Sequence, residues 1–453
     1  MKVKKMLACT LGTAILSTSL IGCGGKKEEA PQQSTVPQTQ TSATDSNKEE
    51  TAVPTDISGE ITVLTNRTDI VDTVFVEYAK KFNEKYPNVK VNYESMTDYE
   101  GDVLVRMSTT EYGDVLLLPT MDAKQYPDFF LPLGDQAELE KTYRTLTKAS
   151  FNGVCYGIPT FYVTNGIVYN KKVFENAGVT ELPTTQEEFL AAMQKVKDKG
   201  EAIPYYTNYK DSWPLSQWED LRNAVAGDPA YMNNIDEDDT PFSSGKPHYQ
   251  IYKLMYDLAN KGLIEPDPVT TNWEQSKKDM AEGKIGAMVL GAWAVSQIKD
   301  LSATPEDIGY MPFPQAAPDG KLYAPIQPDY CMVINKNTKY PDAAKAYLWW
   351  FINESGYATS TNNISQKVID PLPETLKPFE ELGVTFFTNA QPAPEKEGLA
   401  ERIDNAAQIG FYQPDFKTRI IDAAVGNTQE TYDDIMNDLN TKWQKGKKEV
   451  AAQ

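Results

Sequence analysis

Residues 153–200, GVCYGIPTFYVTNGIVYNKKVFENAGVTELPTTQEEFLAAMQKVKDKG, form the stretch that decides the fold. Two short apolar runs, at 154–158 and 161–169, lie in line with Pro159 between them. Because proline interrupts a strand ladder, this pattern is typical of two buried strands that belong to different sheets. We therefore expect the chain to cross here from one lobe of the protein to a second lobe.

The second half of this stretch predicts a helix with its own start and stop signals. Thr184 and Thr185 each precede a glutamate by three residues, so either threonine can form a capping box. Gly200 supplies the C-terminal stop. One face of the predicted helix is apolar, through Phe189, Met193 and Val196.

The rest of the chain alternates predicted strands and helices. Residues 61–64 read as a strand that is covered on both faces, residues 89–93 as a second strand and residues 114–118 as a third. Later expected elements are helices at 248–261, 273–282 and 342–353, strands at 284–290 and 329–335, and a last helix with an apolar stripe of Tyr432, Ile435, Met436, Leu439 and Trp443. This alternation predicts an α/β fold with mostly parallel sheets flanked by helices.

Four stretches, in this order along the chain, carry a family resemblance. They are GEITVLTN from Gly59, GIPTFYVTNGIVYNKKVFENAG from Gly157, EGKIGAMVLGAWAVSQI from Glu282 and MVINKNTKYPDAAKAYLWWFI from Met332. Together they resemble the extracellular solute-binding proteins of bacterial ABC sugar importers, over nearly everything after residue 58. The resemblance implies a two-lobed, periplasmic-binding-protein-like fold of type II, with the lobes joined by hinge strands. The implied N-terminal lobe is 59–161 plus 322–372, and the implied C-terminal lobe is 162–321 plus 373–453.

The amino terminus predicts export and lipid attachment. A lysine-rich start and an apolar run at 6–21 precede Cys23, and Leu-Ile-Gly-Cys resembles the bacterial lipobox. We expect residues 1–22 to be a lipoprotein signal peptide and Cys23 to be acylated; an ordinary secretory signal is the alternative. Residues 24–58 are polar and predict a disordered tether. We expect the protein to lie at the extracellular face of a Gram-positive cell membrane and to be attached to the membrane through the lipid anchor only.

Composition excludes several functions. The 453 residues carry a formal net charge of −20, which disfavours binding to nucleic acid or to an anionic membrane. A single histidine, His248, excludes histidine-rich metal sites, and we expect neither a metal nor a cofactor. The acidic run at 236–239 lacks the glycine of a calcium loop, because Pro241 stands in its place. Cys155 and Cys331 are expected to be buried thiols rather than a disulfide.

Candidate ligand residues follow the predicted strands. Arg67 and Asp69 follow the first strand, Asp122 follows the third, and Trp293 follows the strand at 284–290. Ligands of open α/β sheets bind outside the carboxyl ends of strands, so these loops should face one cleft. An aromatic face can pack on the C–H face of a pyranose, while carboxylate and guanidinium groups pair with its hydroxyls. This set therefore predicts a carbohydrate ligand.

The resemblance adds further residues to the expected site. It implies that Trp293, in a Gly-x-Trp stretch, stacks on the sugar, and that Asp122 belongs to a ligand loop. The loop YTNYKDSWPL resembles a binding loop of the maltodextrin-binding branch, which implies binding roles for Asn208, Asp211 and Trp213. That branch has a carboxylate and an aromatic residue where this chain has Asn208 and Lys210, which counts against a maltodextrin. The remaining candidates, each with a structural alternative as a cap, turn or core residue, are Tyr162, Asn165, Trp273, Asp98, Tyr99 and Asp329.

The leading hypothesis is a monomeric receptor that captures a carbohydrate, best an oligosaccharide, between two lobes and delivers it to the permease subunits of an ABC importer. Closure would be stabilised because the ligand contacts both lobes at once. One alternative is a binding protein for another solute, such as a polyamine or a peptide. A secreted glycosidase that uses two carboxylates is less favoured, because no distinctive catalytic stretch is present. We therefore expect a protein that is not an enzyme.

Overall fold

The computed structural model describes residues 56–452. The strands are β1 (Gly59–Thr65), β2 (Val89–Ser95), β3 (Val115–Leu117), β4 (Gly134–Asp135), β5 (Ser150–Phe151), β6 (Val154–Cys155), β7 (Gly157–Pro159), β8 (Tyr162–Val163), β9 (Asn165–Asn170), β10 (Ile203–Tyr205), β11 (Ile285–Gly291), β12 (Ile308–Met311), β13 (Tyr323–Pro328), β14 (Cys331–Ile334) and β15 (Thr385–Thr388). The predicted signal peptide, Cys23 and nearly all of the predicted tether lie outside the described residues.

The helices connect these strands and close the chain. They are α1 (Val74–Lys85), α2 (Tyr99–Met107), α3 (Tyr126–Phe129), α4 (Gln136–Leu139), α5 (Lys171–Asn176), α6 (Gln186–Lys199), α7 (Arg222–Ala226), α8 (Pro247–Asn260), α9 (Trp273–Ala281), α10 (Trp293–Lys299), α11 (Pro341–Asn353), α12 (Tyr357–Ser360), α13 (Lys377–Glu381), α14 (Leu399–Ala407), α15 (Asp415–Ala424) and α16 (Tyr432–Ala451). Within residues 56–452, no helix has the length and hydropathy that crossing a membrane requires.

The first lobe is built around a sheet with the strand order β2-β1-β3-β14-β7. β1 pairs in parallel with β2 and β3, while β14 runs antiparallel to both β3 and β7. Successive side chains of a strand point to opposite faces, and both faces of this sheet are covered. Val63 belongs to one buried cluster, with α1 and α11, and Leu64 to another, with α2.

The second lobe is built around a sheet with the order β10-β11-β9-β12. β11 is parallel to β10 and antiparallel to β9, and β9 is antiparallel to β12. Alternate residues of β11 enter different cores: Val289 packs in the cluster that includes α8 and α16, and Leu290 packs in the cluster that includes α9 and α10. All of β11 is therefore buried, as its continuous apolar run predicts.

The crossing predicted at residues 153–200 is confirmed. β7 belongs to the first sheet and β9 to the second, and β8 between them pairs with β13 in a small third sheet. The two-lobed α/β fold is also confirmed, but the two large sheets are mixed rather than mostly parallel. β7, β9 and β14 each lie next to a crossing between the lobes and do not belong to βαβ units. Their direction is therefore not set by a helical crossover.

Helix α6 carries the predicted capping box, and Thr185 is the residue that forms it. The Thr185 side chain accepts from the N–H of Glu188, and the Glu188 carboxylate accepts from the N–H of Thr185. Gly200 then ends the helix in the left-handed conformation with φ of 73°. The stripe predicted on the last helix is core, since all five of its side chains are buried in α16.

Two further predictions concern cysteines and acidic residues. Cys155 and Cys331 are both buried free thiols, as expected. The acidic run at 236–239 pairs with lysines from other segments, namely Lys246, Lys396 and Lys447. The acidic side chains of this run are therefore engaged with lysines. The sole histidine, His248, is fully buried in α8, and burial lowers its pKa well below the usual value.

Candidate functional site

A cavity of about 420 Å³ lies where β1, β3 and β11 end, between the two lobes. The first lobe contributes wall residues that include Thr65, Asn66, Arg67, Phe161, Asp329, Tyr330, Tyr357 and Asn363. The second lobe contributes Trp213, Gln217, Trp293, Ser296 and Gln297. Both lobes therefore present polar and aromatic groups to one space of the size that small-molecule ligands occupy.

Three tryptophans form a continuous aromatic cluster on the side of the second lobe. The ring centroids of Trp213 and Trp293 are 5.9 Å apart with the ring planes inclined at 35°. Trp273 packs edge-on against both, at 5.0 Å from Trp213 and 5.8 Å from Trp293. Trp213 and Trp293 line the cavity, whereas Trp273 contacts both rings and does not line it. Trp213 is 40% exposed, so one large aromatic face remains available to a ligand.

The position of Trp293 depends on Gly291, the last residue of β11. A Cβ atom at residue 291 would lie 2.4 Å from Nε1 of Trp293 and 2.6 Å from its Cδ1. No side-chain carbon fits at that distance, so only glycine lets the indole fold back over the strand end. The Gly-x-Trp stretch is therefore a packing requirement that sets the direction of Trp293.

The loop that carries Trp213 is held in an unusual backbone conformation. Asn208 and Ser212 have φ values of 58° and 61°, which non-glycine residues rarely adopt. Asp211 fastens this loop to α9, because its carboxylate accepts a hydrogen bond of 2.6 Å from the N–H of Trp273. The N–H of Lys210 donates to the hydroxyl of Thr271, 2.7 Å away. Asp211 thus positions the tryptophans and does not itself line the cavity.

Arg67 presents a guanidinium group to the cavity and is held by two partners. Its Nε and Nη2 donate to the two carboxylate oxygens of Asp69 at 2.8 and 2.7 Å, and its Nη1 donates to the hydroxyl of Tyr357 at 2.9 Å. Burial alone would raise the pKa of Asp69, but the hydrogen bonds and charge of Arg67 lower it. Asp69 is therefore engaged with Arg67 and does not line the cavity.

Asp329 and Asn363 provide acceptor groups on the same wall. Burial raises the pKa of Asp329, and the nearby charges of Lys148 and Arg67 oppose that rise. Asn363 is 4% exposed, and its Oδ1 has no hydrogen-bond partner within residues 56–452. A buried amide oxygen without a partner costs free energy unless a ligand supplies a donor. Sequence reasoning missed Asn363, because no local pattern marks it.

Several predicted site residues lie elsewhere. Tyr162 is fully buried where β8 pairs with β13, and its hydroxyl donates to the carbonyl of Thr145 in the first lobe. Asn165 is buried and donates to the carboxylate of Asp220 at 2.9 Å, inside the second lobe. Tyr99 is buried and exchanges two hydrogen bonds with the backbone of Leu117. The structure gives these three residues packing roles, the alternative weighed for each.

The remaining candidates also fall outside the cavity wall. Asp122 is exposed and caps a short 3-10 helix by accepting from the N–H of Lys124 at 2.9 Å. Asp98 is exposed at the start of α2. Asn208 is buried and donates to the sulfur of Met288, so it supports the loop from inside. Of the thirteen predicted ligand residues, the cavity wall includes Arg67, Trp213, Trp293 and Asp329.

A group of buried charges lies at the end of the 3-10 helix Trp213–Leu221. Glu219 pairs with Arg222 at 2.9 Å and with Lys417 at 3.1 Å, and all three side chains are buried. Asp220 sits beside this group and accepts a hydrogen bond from Asn165. Burial raises the pKa of Asp220 to about 6, although the positive charge of Arg222 works in the opposite direction.

Comparison with known proteins identifies the class. The family profile described as "Bacterial extracellular solute-binding protein" matches residues 68–358. This match covers more than half of the chain, and the chain belongs to that family. The sequence prediction of an extracellular solute-binding protein, and of its two-lobed fold, is thereby confirmed.

The similar proteins include solved complexes with sugars. The chain is 36% identical to BlMnBP1 of Bifidobacterium animalis subsp. lactis, an ABC transporter binding protein solved with mannobiose, with a TM-score of 0.81 over 87% of this chain and 96% of that one. It is 33% identical to BlMnBP2 of the same organism, a manno-oligosaccharide-specific protein solved with mannotriose, with a TM-score of 0.80 over 87% and 96% of the two chains. It is 24% identical over 380 residues to the diacetylchitobiose-binding protein DasA of Streptomyces coelicolor, covering 81% of this chain and 83% of that protein.

Proposed function

We propose that this protein captures a manno-oligosaccharide in the cavity between its lobes and delivers it to an ABC importer. The observation that carries the proposal is the pairing of an aromatic wall, Trp213 and Trp293, with hydrogen-bonding groups on the opposite lobe. A pyranose needs this combination, because its C–H face packs on aromatic rings while its rim of hydroxyls requires polar partners. The similarity to proteins solved with mannobiose and mannotriose supports a mannose-based ligand.

The polar wall suggests a role for each group. The Arg67 guanidinium donates to sugar oxygens, and its pairing with Asp69 fixes its direction before the ligand arrives. Asp329 and the free amide oxygen of Asn363 accept hydrogen bonds from hydroxyls. Gln217 and Gln297 on the second lobe complete the set, so that one ligand bonds to both lobes. Asp122 and Asp98 lie outside this wall, and we assign them no contact with a disaccharide.

Ligand capture is coupled to lobe closure in this proposal. We take residues 59–161 with 322–372 as one rigid lobe and 162–321 with 373–453 as the other, with β8 and β13 as hinge strands between them. A ligand that bonds to both lobes favours the closed form, because the open form cannot make both sets of contacts. The permease subunits would then receive the closed protein.

We further propose that the protein is a monomeric, non-enzymatic receptor outside the cell. Attachment through an acylated Cys23, at the surface of a Gram-positive cell, rests on the lipobox-like sequence and the polar segment that follows it. Labelling with a radioactive fatty acid in the native host, compared between wild type and Cys23→Ala, would test the anchor. Label on both proteins would contradict it.

A thermal-shift panel tests the ligand class. A ligand that binds only the folded state stabilises it by about 2.7 kcal/mol at a concentration one hundred times its Kd. We expect the melting temperature to rise with the logarithm of mannobiose or mannotriose concentration and to stay unchanged with spermidine or a tripeptide. A rise with spermidine and none with any oligosaccharide would overturn the proposal.

A further inference from the structure

A second cavity, of about 400 Å³, adjoins the one between the lobes on the side of the first lobe. Its walls are Leu118 to Met121, Glu100, Tyr126, Lys148 and Tyr330. Tyr330 lines both cavities, and the chain leads from one to the other at the end of β3, since Leu117 lines the first cavity and Leu118, the next residue, lines the second. One ligand could therefore pass over Tyr330 and occupy both.

Tyr330 is held firmly at the junction. Its ring packs edge-on against Tyr99, with 5.8 Å between the ring centroids. The ammonium group of Lys148 lies 5.9 Å from the centroid of Tyr330, and it donates to the backbone carbonyl of Asp329 at 2.8 Å. Tyr99 is itself locked, because its hydroxyl exchanges hydrogen bonds with the backbone of Leu117. A ring fixed in this way loses little conformational entropy when a ligand packs on it.

The second cavity offers hydrogen-bonding groups above an apolar floor. The Glu100 carboxylate lines this cavity and accepts a hydrogen bond from the N–H of Thr120 at 2.7 Å. Lys148 supplies a cation, and Leu118, Pro119 and Met121 supply apolar surface. A carboxylate, an ammonium and an aromatic ring around an apolar floor match a further pyranose unit in the way that the first cavity does.

We propose that the second cavity is an additional subsite, so that the natural ligand is a manno-oligosaccharide long enough to cross Tyr330 and reach Glu100 and Lys148. This inference rests on the proposed function and adds a chain length and a direction to it. Asp122, which follows the wall residue Met121, then lies beside the outer end of the ligand rather than at its centre.

The test is calorimetric titration of mannobiose, mannotriose and mannotetraose into wild type and Thr120→Trp. Thr120 is exposed at the second cavity, so an indole at residue 120 blocks that space without disturbing a core. Thr428→Trp, on an exposed loop of the second lobe, is the matched control. A second variant, Glu100→Gln, keeps an acceptor for the N–H of Thr120 and removes the charge.

Wild type and Thr428→Trp should bind mannotriose or mannotetraose at least about fivefold more tightly than mannobiose. This gain in affinity is what one further aromatic contact is expected to contribute. Thr120→Trp should bind mannobiose with unchanged affinity but lose the extra affinity for the longer sugars. Glu100→Gln should reduce that extra affinity. If wild type binds all three sugars equally, or if Thr120→Trp keeps the gain, the subsite is refuted while the proposed function stands. If wild type binds none of them, both proposals fail.

Discussion

The carboxylate of Asp211 accepts a hydrogen bond from the backbone N–H of Trp273, with 2.6 Å between oxygen and nitrogen. This bond joins the loop that carries Trp213 to the first turn of α9, where Trp273 supports the other two tryptophans. The aromatic wall of the cavity therefore depends on a residue that does not line it.

Replacing Asp211 should weaken sugar binding without unfolding the protein. Asp211→Ala removes a charge-assisted hydrogen bond, which contributes about 1.5–3 kcal/mol, and frees the loop that holds Trp213. We expect an affinity for mannobiose about tenfold lower by calorimetry, together with altered near-ultraviolet circular dichroism of the tryptophans. Asp211→Asn keeps an acceptor oxygen and should bind more tightly than Asp211→Ala. Wild-type affinity in Asp211→Ala would show that the position of Trp213 does not depend on the hydrogen bond between Asp211 and Trp273.

Adding one methyl group at residue 291 should displace Trp293. The new Cβ would meet Nε1 of the indole at 2.4 Å, so the ring must move and the cavity wall changes shape. Gly291→Ala should therefore reduce affinity about tenfold, as expected for an overpacked contact worth 1–3 kcal/mol. A double-mutant cycle supplies the control: in a Trp293→Ala background, Gly291→Ala should cost little further affinity. Independent, additive losses would contradict the assigned role of Gly291.

Local patterns explain which features could be predicted from sequence. The crossing at Pro159, the cap at Thr185 and the buried run of β11 depend on neighbours in the chain, and all three predictions agree with the structure. The predicted position of Trp293 just after its strand also agrees with the structure, because it follows from β11 alone.

Other features depend on contacts between distant segments, which a single sequence does not display. Asn363 reaches the cavity because α12 packs against the first lobe, and nothing near residue 363 marks that contact. Tyr162 has the composition of a ligand residue, but the packing of β8 against β13 buries it. The direction of β9 and β14 follows from the crossings between lobes, so the sheets are mixed although the strand and helix alternation favours parallel ones.

Asn363→Ala should lower affinity while leaving stability almost unchanged. The substitution removes the hydrogen bond of 3.1 Å from Nδ2 of Asn363 to the hydroxyl of Thr361, but it also removes the buried Oδ1 atom, which has no partner in the described part of the chain, and these two effects on the free protein offset each other. Loss of the acceptor should weaken mannobiose binding by about 1 kcal/mol or more. Asn335→Ala is the matched control, because Asn335 is equally buried but donates to the carbonyl of Gly113 away from the cavity. Asn335→Ala should lower the melting temperature and leave the affinity for mannobiose unchanged. The assignment would be contradicted if Asn335→Ala lost affinity while Asn363→Ala lost only stability.

Asp220 should make stability depend on pH. Its pKa is raised to about 6 in the folded protein, from 3.8 in the unfolded chain, so the folded state binds more protons between these values. The stabilisation from protonated Asp220 is thus present below pH 4 and is lost as the pH rises through 6. Relative to Asp220→Asn, wild type should lose up to about 3 kcal/mol between pH 4 and pH 7. Denaturant unfolding of both proteins measures this difference, and parallel pH profiles would contradict the raised pKa.

Calorimetric titration of mannotriose into wild type, Trp293→Ala and Trp349→Ala tests the central claim most directly. Trp349 packs on Tyr143 in the first lobe and does not line the cavity, so it controls for loss of a tryptophan elsewhere. We predict that wild type and Trp349→Ala bind the sugar, and that Trp293→Ala, with unchanged far-ultraviolet circular dichroism, binds about a hundredfold more weakly, as expected for a central aromatic contact. Wild-type affinity in Trp293→Ala, or no binding of mannotriose by wild type, would contradict the account.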